Sequence, residues 1–224
     1  MTLSYRIPGA SFTKTLIRAK PAILNSADLY LLLGGDQASS ILDRNGKAAA
    51  SVVGTPVYGA GFCTLNASNG FQAATAAAGQ PFTFLGAFTR PATSDTVVQM
   101  GNWTASTPRH ALTTSNGNLR LTVDGAVRAQ AAMPDAMQMV GASHNGTTAR
   151  LYLGANGAMA KTEAAFSGGA QTSVFRAGAS GTGGTNTFNM AAAVYWRAVL
   201  TDAEVAAVGL YLRDVLLLRG VTVL

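Results

Sequence analysis

The 224 residues suffice for one large β domain or two small ones, and 48% hydrophobic residues supply apolar surface for a real core, which excludes a disordered chain. Charged residues are only 12% of the chain against about 25% in ordinary soluble proteins, with Gly, Ala, Ser, Thr and Asn in their place, a profile that suits a β-protein with many turns. The formal net charge of +6 is unevenly spread, because Arg6, Lys14, Arg18 and Lys20 all precede the first acid, Asp28; such an arm suits docking on an acidic protein surface, and no motif that reads nucleic acid accompanies it.

Residues 1–24 mix basic and small side chains around Pro8 and Pro21 without sustained periodicity, which predicts an extended N-terminal arm. They hold no apolar core of a secretory leader, so none is expected. Residues 25–200 show short apolar runs punctuated by turn chemistry at the spacing of a β-sandwich or barrel. In Phe82-Thr83-Phe84-Leu85-Gly86-Ala87-Phe88 the aromatics fall at alternate positions, on one face of a strand. Ser115-Asn116-Gly117-Asn118 and Asn145-Gly146 each stand between two apolar runs and predict tight hairpins; Asp124-Gly125 and Asn156-Gly157 mark further reversals. Ser167-Gly168-Gly169 and residues 178–187 read as loops, and 188–199 as a long last strand with Tyr195 and Trp196 on opposite faces.

Residues 201–224 contain the one predicted helix. Thr201-Asp202-Ala203-Glu204 is a capping box, and Gly220 stands where a left-handed cap would end it. Val205, Val208, Leu212 and Val215 form one apolar stripe, but Leu210, Tyr211, Leu217 and Leu218 lie outside it, so cover on more than one side is expected, from the sandwich or from another copy of the chain. A homo-oligomer is expected, with Arg6, Lys14, Arg18, Lys20, Leu210, Tyr211, Leu217 and Leu218 as the residues that dock partners. The longest apolar stretch is broken by Arg213 and Asp214, so no membrane insertion is expected.

The order of these signals resembles the laminin-G-like, concanavalin-A-like jelly-roll family. Asp28 to Leu33 followed by Ile41-Leu42-Asp43-Arg44-Asn45-Gly46 is similar to its opening strand and turn. Residues 140–154 (VGASHNGTTARLYLG) are similar to its central hairpin, and residues 191–208 (AAAVYWRAVLTDAEVAAV) to its closing strand and helix start. The resemblance implies two packed antiparallel sheets with a concave face, and glycan binding, in some members through calcium. Such domains occur in bacteriophage tail and fibre proteins. The expected role is therefore a virion protein, assembled in the bacterial cytoplasm, that binds a host-surface glycan or neighbouring virion proteins; a purely structural decoration or baseplate subunit is the alternative.

The inventory speaks against catalysis and cofactors. Calcium-binding relatives cluster acids in their loops, whereas residues 64–70 read TLNASNG without a carboxylate. Glycosidases need two convergent carboxylates. Here Glu204 is the helix cap, and Glu163, two residues from Lys161, reads as an exposed charge, so a polysaccharide hydrolase is not expected. Ser143 and His144 with Asp135 have the residue types of a hydrolytic triad, but neighbours in a strand point to opposite faces. With only His110 and His144, and only Cys63, neither a histidine-rich nor a cysteine-rich metal site can form, and no metal or cofactor is expected. For a glycan, Trp103 is the expected stacking plate, with Asn102, Arg109, Asn116 and His144 on loops around it.

Overall fold

A computed structural model describes residues 18–74, 81–91, 93–102, 110–123, 126–155, 158–165, 174–181 and 185–224. A 3-10 turn at Ala22–Ser26 leads to β1 (Leu29–Leu32), a short helix α1 (Gln37–Ile41), β2 (Ala50–Val53), β3 (Val57–Tyr58), β4 (Cys63–Leu65) and β5 (Gly70–Ala74). Then follow β6 (Phe82–Phe88), β7 (Val97–Asn102), β8 (His110–Ser115), β9 (Asn118–Val123) and β10 (Ala126–Ala132). The last elements are β11 (Gln138–His144), β12 (Thr148–Ala155), β13 (Ala158–Ala165), β14 (Val174–Gly178), β15 (Phe188–Trp196) and α2 (Asp202–Leu218). The first sheet has the order β13-β12-β11-β6-β15-β4-β3, with β1 also paired to β15; the second has the order β10-β9-β8-β7-β14-β5-β2. Every pairing is antiparallel. This is the jelly-roll sandwich expected.

Side-chain alternation divides the interior into two cores. Phe82, Phe84 and Phe88 of β6 join Phe71, Phe175, Leu112, Leu121 and Tyr195 between the sheets. The intervening Leu85 and Ala87 point the other way, with Val194 and Trp196, into a second core under α2. Gly86 lets the sheets close, since a Cβ there would press on Met100 Sδ at 2.6 Å. All seven residues of β6 are buried. The predicted turns at Ser115–Asn118 and Asn145-Gly146 form as read, while Asp124-Gly125, Asn156-Gly157 and the Ser167-Gly168-Gly169 loop lie outside the described residues. In the β8–β9 hairpin Asn116 and Gly117 have φ of 48° and 78°, and Ser115 pairs with Asn118. Asn145 Oδ1 accepts from the backbone N–H of Thr147 and Thr148, closing the β11–β12 reversal.

Helix α2 starts on the predicted box: Thr201 Oγ1 accepts from Glu204 N at 3.2 Å, and Glu204 Oε2 accepts from Thr201 N at 2.8 Å. It ends in a Schellman arrangement, with Val221 N–H donating to Leu216 O and Gly220 N–H to Leu217 O. Its buried residues are Val205, Val208, Gly209, Leu212 and Leu216, so the stripe shifts at its last turn from Val215 to Leu216. These pack on the outer face of the first sheet, with Leu24 of the 3-10 turn and Val221 and Val223 of the tail. The tail bonds back to the first sheet, Leu224 N–H donating to Met137 O at 3.0 Å. Cover thus comes from this chain's own sandwich, so the apolar helix no longer calls for a second copy. Among the described residues no helix is long and apolar enough to cross a membrane.

The opening segment is fixed by a buried carboxylate. Asp43, 6% exposed, accepts from the N–H groups of Tyr30 (2.8 Å), Asn45 (3.2 Å), Lys47 (2.7 Å) and Ala48 (2.9 Å). Asn45 Nδ2 donates to Leu24 O and Ala27 O, so the turn after α1 ties β1 and the 3-10 turn together. Helix α1 itself was not expected. Its Asp36 side chain accepts from Ser39 N in a capping box that a search for Asp-x-x-Ser would have found. Cys63 is buried, and burial pushes its thiol up.

Two stability measurements follow. Leu212→Ala removes the centre of the α2 contact and should cost about 3 kcal/mol in urea unfolding, whereas Leu218→Ala, at a residue 54% exposed, should cost little. Asp43→Ala leaves four N–H donors without their acceptor and should cost at least about 3 kcal/mol; Asp43→Asn, which keeps one acceptor oxygen, should fall between.

Candidate functional site

The expected glycan cluster does not assemble from its described members. Trp103 and Arg109 lie outside the described residues. Asn102, expected in a loop, is the last residue of β7; it is fully buried and stands in register with His110. His144, also expected on a loop, ends β11 with no exposed surface. Asn116 is exposed, but β8 runs from His110 to Ser115, which puts the Asn116 turn at the far end of the strand, about 20 Å away at the usual rise. Asn102 and His144 are therefore interior side chains, and Asn116 belongs to the opposite end of the sandwich.

The docking residues turn inward in part. Arg6 and Lys14 lie outside the described residues. Arg18 pairs with Asp214 of α2, its Nη1 donating at 2.7 Å. Lys20 donates to Asn45 Oδ1 at 3.3 Å and lies over the Tyr30 ring at 5.7 Å. Leu210 and Tyr211 are half-buried, and Tyr211 packs against the second core. Leu217 and Leu218 do reach solvent, at 47% and 54% exposed.

The ionisable groups singled out have structural partners. Glu163 on β13 stands opposite Arg150 on β12 and accepts from its Nε at 2.7 Å. Ser143 Oγ lies 3.4 Å from Tyr152 Oη, while Asp135 pairs with Arg90 on the surface, so Ser143, His144 and Asp135 do not converge. The segment expected to be a loop at 64–70 is loop only at 66–69, where Asn66 Oδ1 accepts from Ser68 and Asn69 N–H. Among the described residues no group of three His, Cys, Asp or Glu side chains could hold a metal ion.

What the fold does present is the outer face of the second sheet. Register places Ser51, Gln72, Arg176, Gly101, Ala111, Thr122 and Val127 in one row across the seven strands. Val98, Thr113, Arg120 and Gln130 form a neighbouring row. None of the seven strands contains an acid, while they contain Arg120, Arg128 and Arg176. Thr113 and Thr122 bring their hydroxyls within 3.0 Å of each other between the arginines. Val98, Gly101, Ala111 and Thr113 at the centre of this face are buried, so the groups it can offer a ligand rich in hydroxyls are those of Ser51, Gln72, Thr122, Gln130 and the arginines.

One end of the sandwich holds a second unusual group. The His110 and His144 rings, one from each sheet, stack 6.0 Å apart, with Phe82 packed at 5.0 Å and 6.1 Å from them. Both ring nitrogens of His110 are buried without a hydrogen-bond partner. Burial first, and the neighbouring His144 second, lower its pKa to about 4.

No known protein-family profile matches this chain, nor does any curated protein. Solved structures do share its fold. The receptor-binding domain of botulinum neurotoxin C/D mosaic serotype superposes with a TM-score of 0.64 at 10% identity, over 83% of this chain and 51% of that one. The receptor binding domain of botulinum neurotoxin D gives 0.64 at 12% identity, over 84% and 53%. The serotype D ligand binding domain in complex with N-acetylneuraminic acid gives 0.63 at 11%, over 83% and 51%. The chain thus spans about half the length of the structures it resembles, and the likeness establishes the β-sandwich fold.

The histidine pair gives a pH prediction. An unfolded chain takes up the His110 proton near pH 6.5, while the folded chain refuses it until about pH 4. Stability is therefore complete above the unfolded value and is lost as pH falls through the window between the two, by roughly 3 kcal/mol. Urea midpoints of the parent and His110→Phe between pH 7 and 4 should diverge in that window, the parent losing more; parallel curves would refute this role for His110.

Proposed function

We propose that this chain is a non-catalytic binding module of a bacteriophage tail or fibre, whose second sheet recognises a host-surface glycan. The observation that carries this reading is the asymmetry of the sandwich. The first sheet buries its outer face under α2 and the tail, while the second turns Ser51, Gln72, Thr122, Arg120, Arg176 and Gln130 outward. Similar structures include receptor-binding domains, one of them described in complex with a sialic acid, which supports a recognition role without fixing the ligand. The phage setting rests on the family resemblance and on the composition rich in Ala, Gly and Thr. On this reading the site is assembled in the bacterial cytoplasm, functions in the virion, and needs no metal.

A second reading, a purely structural subunit that joins virion proteins or copies of itself, is favoured by one feature. Leu217, Leu218 and Leu224, close together in sequence, are each exposed. A glycan array separates the two. The full chain should retain a restricted set of glycans, and Gln72→Ala with Thr122→Ala should lower the signal at least about fivefold at unchanged melting temperature. Loss on Trp103→Ala instead would move the site to the β7–β8 connection. A blank array with the folded parent leaves the structural reading.

A further inference from the structure

We infer that the contact between His110 and His144 is an acid-operated latch between the two sheets: when the pair takes up a proton, the ends of β7, β8 and β9 part from the first sheet while the rest of the sandwich stays closed. This device is independent of the glycan reading. His110 is the first residue of β8 and stands in register with Asn102 and Val123, the last residues of β7 and β9. His144 is the last residue of β11, in register with Phe82, the first of β6. The two imidazoles, 6.0 Å apart and both fully buried, therefore meet with Phe82 on the terminal rung of five strands. Only that rung has to part for the rings to reach water.

A proton taken up here finds no counter-ion. Apart from the two histidines, β6, β7, β8 and β11 contain no charged residue. Around them, Arg120 of β9, Arg150 of β12 and Arg176 of β14 are cations that alternation places on the outer faces, and Glu163 of β13 is held by Arg150. Tyr195 of β15 shares the core but packs on Phe84 and Phe175. An imidazolium on the rung is therefore stabilised only by moving out to water. Burial and then His144 hold the His110 pKa at about 4 in the closed state, whereas a hydrated imidazole takes its proton near 6.5. Between these values an opened rung binds a proton that the closed rung refuses, so opening becomes easier as pH falls. It also gives both His110 nitrogens the hydrogen bonds they lack.

The bonds around the rung decide which sheet moves. Thr83, beside Phe82, donates to Ala198 O at 2.8 Å and accepts from Leu200 N–H at 3.0 Å. Ser143, beside His144, has its Oγ 3.4 Å from Tyr152 Oη, which donates to Asp202 Oδ1 at 3.1 Å. Both anchors end on α2 or on the segment that leads into it, so the first sheet's side of the rung is pinned to its cover. The matching neighbours on the second sheet are Gly101, Ala111 and Thr122, and Thr122 bonds to Thr113 of the same sheet. At Gly101 a Cβ would lie 2.0 Å from His110 O, so β7 and β8 are in close contact and move together. Leu112, Leu121 and Phe84, in the core between the sheets, hold the next rungs shut and confine the opening to the strand ends.

The test is amide hydrogen exchange of the full chain as a function of pH and of low urea. Between about pH 7 and about pH 4, exchange at the ends of β7, β8 and β9 should accelerate about a hundredfold beyond the intrinsic pH trend. It should stay insensitive to low urea, because a local opening exposes little surface, and should run ahead of β6 and β15, whose exchange rises with urea as global unfolding requires. His110→Phe should remove the acid dependence at the strand ends. Thr83→Ala, which releases the pin, should spread the acid-dependent local exchange to the start of β6. Strand ends that share the rates and urea dependence of β6 and β15 at every pH would reduce the pair to a determinant of global stability and overturn the latch. Exchange at those ends that ignores pH, or that keeps its acid dependence in His110→Phe, also overturns it. Faster local exchange at Thr83 and Ser143 than at the ends of β7, β8 and β9 overturns the assignment of the moving sheet.

Discussion

The pairing of β6 with β15 at the middle of the first sheet governs how the rest of the chain is used. Both strands are buried on both faces: every residue of β6 and eight of the nine in β15 lie in the interior. Their inward side chains make the core between the sheets, and their outward ones, Leu85, Ala87, Val194 and Trp196, would face water in a bare two-sheet sandwich. Burying each such apolar side chain contributes about 1.5–3 kcal/mol. The chain therefore returns as α2 to cover them, and the 3-10 turn and the tail seal the margins, with Trp196 Nε1 donating to Ile23 O at 3.1 Å. A sheet closed on both sides cannot offer a ligand its face. The proposed recognition falls to the other sheet, whose outer face carries Arg120 and Arg176 and buries only Val98 and Ala111 as an apolar cluster.

The interior handles its polar groups in two opposite ways. Asp43 keeps its oxygens in a shell of backbone N–H donors, so that burial is compensated where it occurs. His110 is kept between Phe82 and His144 with no partner for either nitrogen, which the fold tolerates only while the ring is neutral. The first arrangement organises the entry of the chain into the sandwich. The second puts the acid-sensitive point of the structure at the end where β7 and β8 are joined.

Alternation made much of this visible in advance. The spacing of Phe82, Phe84 and Phe88, the opposed Tyr195 and Trp196, the Asn-Gly turns and the Thr201 box each follow from local geometry, which the sequence carries directly. Where pattern was short or masked by small residues it failed. The strands β2 to β5 run only two to five residues each, and β14 (VFRAG) sits beside glycine-rich segments. Extending β7 by one residue, to Asn102, turned an expected surface amide into an interior one, because side chains change face at every step along a strand. The helix was expected to need cover on more than one side. The broad outer face of the first sheet, together with the 3-10 turn and the tail, supplies it, and only Leu217 and Leu218 at its end remain bare.

The candidate binding face was the least legible part, because it is a property of pairing. Arg120 and Arg176 are 56 positions apart in the chain and come to share one face only through the order β9-β8-β7-β14. The one trace it leaves in sequence is the absence of Asp and Glu from seven strand segments, and that trace cannot be summed until the segments are known to share a sheet. Helix α2 must be an integral cover of the first sheet for this fold to hold, and amide hydrogen exchange under native conditions tests this most directly. The amides of β6, β15 and the buried turns of α2 should exchange slowest and through one shared global opening, with those of the edge strands β2 and β10 faster. Exchange of α2 through a separate opening of low free energy, while β6 and β15 stay protected, would show that the first sheet does not need the helix and would contradict the account.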